Sequence, residues 1–227
     1  MKSFTNRLLL PLLVLGLMAC AGAQAAKYPS QSTEGLPKVK AKKIDALYLK
    51  EGASLEGYKR INLLPAEVSF RKNWMRDTNR ERFNDPSSRV TEEDMQRIRA
   101  NLSQLFHEEF SEALVKAGYE ITSDRAEDVL LLVPAIIDLD VNAPDVSHHQ
   151  VGRVTTYVTE TGRATLSLEF YDALTNELFA RAIDKQVADA GGHIQVANSV
   201  MNRAEAIVVI DRWANRLIDA LDAANGR

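Results

Sequence analysis

The sequence runs to 227 residues, 45% hydrophobic and 26% charged, with a formal net charge of −3. That composition is too apolar for a disordered chain and allows one globular domain with short tails. The mild acidity offers no electrostatic attraction to nucleic acid, so no nucleic-acid partner is expected.

The first residues form a three-part export pattern. Lys2 and Arg7 precede an apolar run from Leu8 to Met18, and small residues follow from Ala19 to Ala26. The run is too short for a bilayer core that needs about 20 residues, so it reads as a secretory signal and not as a membrane span. Two cleavage sites compete. Ala23-Gln24-Ala25 would be cut between Ala25 and Ala26, removing residues 1–25. Leu17-Met18-Ala19-Cys20 looks like a lipobox, which would remove residues 1–19 and leave an acylated Cys20. Cys20 has no second cysteine to pair with, and acylation would also dispose of a free thiol in an oxidising compartment. Met18 is an unusual residue for a lipobox. Ala21 after the cysteine matches outer-membrane sorting. Cleavage after Ala25 takes away Lys2 and Arg7 and no acidic residue, so the charge moves from −3 to −5.

Residues 26–57 read as a tether, broken by Pro29, Gly35 and Pro37 and carrying Lys38, Lys40, Lys42 and Lys43. A solvated linker is the simpler reading of those lysines, and contact with an anionic surface the alternative. A single domain over 58–224 follows. Tyr58–Phe70 predicts a first strand, with Pro65 forcing an edge or a bulge. Residues 71–90 predict a long polar loop in which Trp74 and Phe83 are candidate partner contacts, or else local anchors. Thr91 to Asp94 forms a capping box, and Val90 and Met95 can close a hydrophobic staple. Met95, Ile98, Leu102, Leu105, Phe106 and Leu114 then mark one face of a helix that ends at Gly118. Leu102 and Phe106 are expected to be buried. Val129–Val133 reads as a central strand, continuing with Ile137, Leu139 and Val141 on one face. Val151–Thr159 and Ala164–Tyr171 are further strands. The turn Asp172–Glu177 leads into Leu178–Val187. A second amphipathic helix spans about 200–223. This order predicts an α/β (α+β) fold: a two-layer sandwich with a mixed, mostly antiparallel sheet of about five strands and two long helices on one face.

Chemistry is harder to find. His107-Glu108-Glu109-Phe110-Ser111 begins like a zinc-protease helix, but Ser111 stands where the second ligand belongs. His148 and His149, near Asp140 and Asp145, lack a third ligand fixed by spacing. His193 reads as a loop residue, Trp213 as core, and neither Tyr157 nor Tyr171 falls in a ligand motif. Asp138, Asp140 and Glu169 could supply paired carboxylates, although alternation places them on a solvent face. Neither a catalytic residue, a metal nor a cofactor is expected.

The stretches YKRINLLPAEVSF, ALVKAGYEI, VLLLVPAIIDLDVNAP, ATLSLEFYDALTNELFARAID and IDRWANRLIDALD together resemble a group of bacterial envelope lipoproteins, domain-of-unknown-function family thirty-three thirteen, from Tyr58 to Leu221. The resemblance implies an exported, usually lipid-anchored protein with no assigned reaction; Met18 departs from it. The favoured function is a non-catalytic envelope interaction or assembly module. It would have an unidentified protein partner and lie on the periplasmic side, anchored to the outer membrane if Cys20 is acylated. The alternatives are a periplasmic small-ligand or lipid-binding protein, which needs a cavity between sheet and helices, and a hydrolase using surface carboxylates.

Overall fold

The structure is a computed structural model that describes residues 28–82, 89–142, 156–158, 160–189, 195–197 and 199–227. Its centre is strand β6 (Val129–Val141), flanked on one side by two strands in tandem, β3 (Arg60–Leu63) and β4 (Glu67–Phe70). Both run parallel to β6, β3 along Val129–Leu132 and β4 along Ala135–Leu139. The single predicted strand is split because Pro65 has no N–H for the ladder, while Leu64 still donates to the Leu132 carbonyl at 3.0 Å. β5 (Glu120–Ile121) lies parallel to β3 at the edge.

On the other side of β6, the long antiparallel hairpin of β8 (Glu160–Asp172) and β9 (Leu178–Asp189) continues the sheet. β2 (Ala46–Leu49) pairs with β9, and β1 (Lys38–Val39) pairs with β2. The main sheet therefore has eight strands, where about five were expected. Part of the difference is the segment expected to be a tether, which supplies β1 and β2. The Val151–Thr159 strand is described only as β7 (Thr156–Val158), which pairs with β10 (Gln195–Ala197) in a separate two-stranded sheet.

α2 (Glu92–Lys116) starts as its sequence dictates. The Thr91 side chain accepts from the Asp94 N–H at 3.2 Å, and Asp94 accepts from the Thr91 N–H at 2.9 Å. Val90 and Met95 are buried in one cluster, completing the staple. At the far end Gly118 takes φ 88°, a left-handed conformation that costs glycine little, and Tyr119 donates to the Leu114 carbonyl at 3.0 Å. α3 (Ser199–Ala224) lies beside α2 on the same side of the sheet. Phe106, Phe110 and Leu114 of α2 and Ile210, Ala214 and Leu221 of α3 share one core with Leu130, Leu132 and Ile136 of β6. Each large side chain so buried contributes about 1.5–3 kcal/mol. Two long helices on one face match the expectation. Leu102 departs from it, being only half-buried.

The second face of the sheet is not bare. Leu36, Ala46 and Tyr48 are buried there with Tyr28, Leu178 and Ile183 packed against them, and the Tyr48 hydroxyl donates to the Pro29 carbonyl at 3.1 Å. Arg181 stands in the middle. It donates to Glu169 and to the Thr33 hydroxyl, and pairs with Glu34 at 2.8 Å. Residues 28–37 are thus strapped across the sheet, held by buried Leu36 while most of the segment's other side chains stay exposed.

The described part of the 71–90 segment contains a short helix, α1 (Trp74–Glu81). Trp74 is 1% exposed, stacks on Phe70 with centroids 4.2 Å apart, and donates its indole N–H to the Val141 carbonyl. Asn79 makes a two-way amide bond with the Val90 backbone, tying α1 to the start of α2.

Candidate functional site: a cleft between the two long helices and the sheet

A cleft of about 450 Å³ opens between α2, α3 and the end of the sheet. Its floor is Ile136 and Leu139 of β6 with Ala164 of β8; its walls include Ile98 and Leu102 of α2 and Ala206 and Val209 of α3. The floor has this form because of a bulge. Asp138 takes φ 52°, and Ile137 to Asp140 of β6 span one residue more than Thr165 to Arg163 opposite. The extra residue re-aims the strand, so Ile136 and Leu139 are both buried and Ile137 is not. The expected regular alternation through Ile137, Leu139 and Val141 is broken here. Gly162 sits against the bulge, with space for a Cβ denied by the Asp140 carbonyl oxygen at 2.7 Å.

Charged groups ring the mouth. Arg97, Arg163 and Arg203 line it together with Glu108, Glu205 and Asp140. Asp140 pairs with Arg71 at 2.9 Å and lies 3.7 Å from Arg163. Arg203 lies 3.6 Å from Glu109. The inner end of the cleft is Trp213, which donates its indole N–H to Asp184 at 2.9 Å. Asp184 is 6% exposed and also accepts from Gln186 and Arg216. A carboxylate this deep is tolerated because three donors meet it. Beyond Trp213 a second cavity of about 250 Å³ lies under the other side of α3, between Leu47, Leu49, Leu166, Leu168 and Leu217.

The candidate residues from the sequence scatter. The three carboxylates do not converge. Asp138 is exposed at the bulge, Asp140 is on the cleft rim, and Glu169 faces the opposite side of the sheet with Arg181 and Tyr171. Burial, then the hydrogen bond to Glu169, raises the Tyr171 phenol to about 12. His107 and Ser111 lie one turn apart on α2; the His107 Nδ1 and Ser111 Oγ are buried without hydrogen-bond partners. Among the described residues no three His, Cys, Asp or Glu side chains group as a metal site would need. Trp74 takes the anchoring role, its ring inside the domain and not offered to a partner. Cys20, Ala25, Ala26, Phe83, Asp145, His148, His149 and His193 lie outside the described residues, as does the Tyr157 side chain. Among the described residues no helix is long and apolar enough to cross a membrane.

The cleft, Asp184 and Arg181 were not singled out from sequence. Asp184 did leave a signal: in β9 it occupies the inward phase that Ala180 and Ala182 hold before it.

A family model described as a protein of unknown function, DUF3313, matches residues 30–217. The chain belongs to the DUF3313 family. The match takes in the strap and β1–β2. No curated protein matches. Two solved structures follow a similar chain course. One is a PelC dodecamer from Paraburkholderia phytofirmans: 10% identity, 77% of this chain and 95% of that one, TM-score 0.38. The other is a minor lipoprotein from Acinetobacter baumannii: 13% identity, 73% and 94%, TM-score 0.32. At these scores the likeness is loose, and nothing about the partners of this DUF3313 chain follows from it.

Proposed function

We propose that this chain is an exported, lipid-anchored and non-catalytic cell-envelope protein that works as an interaction or assembly module. The observation that carries the proposal is the order of cationic start, short apolar run and Ala19-Cys20 junction at the N-terminus. The fold adds a geometric consequence. The described chain begins at Tyr28, whose hydroxyl bonds Asp45 at 3.3 Å beside β2. From an acylated Cys20 to that point the chain reaches at most about 28 Å, at roughly 3.5 Å per extended residue. The domain would therefore stand close over the bilayer, strap side nearest, with Lys38, Lys40, Lys42 and Lys43 all exposed near the anchor. Intact-mass measurement and membrane fractionation test this. The expected product starts at acylated Cys20 and sediments with membranes, and Cys20→Ser abolishes both. A soluble mature chain starting at Ala26 would refute the anchor and leave export standing. Crosslinking from exposed positions of α1 in cells would then identify the partner.

The cleft favours a second reading, small-ligand binding. A largely apolar cavity of a few hundred Å³ with polar groups at its mouth is the usual form of a ligand site.

A further inference from the structure

Four lysines fall within the six residues 38–43, and none of the six is acidic. The net charge of −5 left after signal cleavage would be −9 without their +4. From sequence these lysines belong to a solvated linker, and the structure removes that explanation. β1 and β2 form a hairpin, with Lys38 opposite Tyr48 and Val39 opposite Leu47, so residues 40–45 are its loop. The loop is fixed to the domain. Ile44 turns in beneath α3, where it lines the 250 Å³ cavity. Asp45 accepts from the Lys185 N–H at 2.9 Å and from the Tyr28 hydroxyl at 3.3 Å. Lys38, Lys40, Lys42 and Lys43 all stay exposed.

The fold itself has little use for them. Lysine on an edge strand discourages pairing with a second chain, but that accounts for Lys38 alone, because Lys40, Lys42 and Lys43 lie beyond the end of β1. The Lys38 ammonium lies 5.5 Å from the centre of the Tyr28 ring. Lys43 meets Asp219 at 3.1 Å with the two side chains 69% and 64% exposed, and so wet a pair exchanges readily for another anion. Among the described residues Lys40 and Lys42 have no ion-pair partner. Glu34 is already paired with Arg181 at 2.8 Å. The corner therefore keeps an excess of two positive charges, Lys38, Lys40, Lys42 and Lys43 against Asp45 and Asp219. The chain also enters the domain here, since Tyr28, eight residues after Cys20, touches both Lys38 and Asp45.

We propose that the β1–β2 loop is a docking surface for an anionic phospholipid bilayer, its lysines meeting the headgroup phosphates and setting which side of the domain faces the membrane. This rests on the anchored reading above. A lysine near an anionic membrane surface gains about fivefold in affinity, so a net excess of two gives roughly 25-fold. That is too little to capture a free chain and enough to orient one that is already anchored. The chain from Cys20 to Arg227 has one thiol, so it can be coupled through Cys20 to a maleimide-bearing lipid whether or not cells acylate it. The coupled chain is placed on vesicles of phosphatidylcholine, alone or mixed with phosphatidylglycerol. Acetylation by the neutral N-hydroxysuccinimidyl acetate, read by mass spectrometry, then gives a rate for each lysine. On anionic vesicles Lys40 and Lys42 should react about fivefold more slowly than on neutral ones, and raising salt from about 0.1 M to about 1 M should remove the difference. Lys72 and Lys116, exposed elsewhere on the domain, should not change. Lys40→Glu combined with Lys42→Glu, its fold checked by circular dichroism, should lose the protection of Lys43. Equal rates at Lys40 and Lys42 on both vesicles, or protection of Lys72 or Lys116 instead, would overturn the docking surface. So would binding to peptidoglycan sacculi through Lys40 and Lys42 without any lipid-dependent protection. A mature chain starting at Ala26 in cells refutes the anchor, whereas the vesicle footprint decides the role of the lysines by itself.

Discussion

Comparing two truncations on α2 tests whether the cleft is open in solution. Phe106 is 0% exposed, inside the shared core. Phe106→Ala removes a whole ring from a packed site, and the expected loss is about 3–5 kcal/mol, transfer and cavity terms together. Leu102 sits one turn earlier on the same stripe but faces the cleft, half-buried. A fully buried leucine contributes about 1.5–3 kcal/mol, so a half-wet one contributes about 1. Leu102→Ala opens no new void, because among the described residues the space beside it is already open. Its cost should therefore stay near 1 kcal/mol, about a third of the phenylalanine loss or less. Urea unfolding of the two variants at pH 7 measures both, read as a shift in midpoint at unchanged slope. Equal losses would show that the cleft is closed around Leu102, and the ligand-binding reading would go with it.

The α2 cap predicts a pH dependence. Burial pushes the Asp94 carboxyl up, but the Thr91 N–H, Arg97 and the Thr91 hydroxyl outweigh it and hold the group below its usual 3.8. Its contribution is thus present above pH 3.8 and is lost as pH falls through the lowered value. Asp94→Ala should cost roughly 2 kcal/mol near neutrality, and the gap to wild type should close in acid; a pH-independent gap would contradict the cap. Gly162→Ala should lower stability by about 1–3 kcal/mol, because its Cβ would strike the Asp140 carbonyl oxygen. An unchanged melting temperature would mean that the bulge is absent or pliant. Burial first, and then Asp172, Asp222 and Glu169 respectively, lift the phenols of Tyr58, Tyr119 and Tyr171 to about 12. Phenolate absorbance should show these three titrating well after pH 10, and a single step near 10 with native near-ultraviolet dichroism would refute their pairing.

What was legible in the sequence was local. The Thr91–Asp94 box, the Val90–Met95 staple and the Gly118 stop depend on neighbours within a few residues, and all three stand in the structure. So does the Asp172–Glu177 turn between β8 and β9, where the Asp172 carboxylate accepts from the N–H groups of Leu174 and Thr175. β1 and β2 were missed because they are short and show no long alternation. Their strand character comes from a partner, β9, far along the chain. Trp74 sits among polar residues, so the sequence left it between partner contact and local anchor; the end of β6 beneath it makes it core. The helix stripe says which face of α2 turns inward. It says nothing of how closely α3 approaches, so Leu102 and the cleft stayed hidden. The Asp138 bulge has no local marker, since an aspartate in an alternating strand looks like any solvent-facing residue.

The pairing of β2 with β9 imposes an order on synthesis. Ala46 and Leu49 find their partners only when Ile183 and Ala180 have been made, near the other end of the chain. Until then Leu36, Ala46 and Tyr48 have no face to cover, and the strap has no Arg181 to grip. Loop closure over such a span is slow. A chain threaded N-terminus first across a membrane would gain from this delay. Under the proposed export it would stay unfolded, and so transportable, until most of it had crossed, and the β8–β9 hairpin would then join β2 to β6.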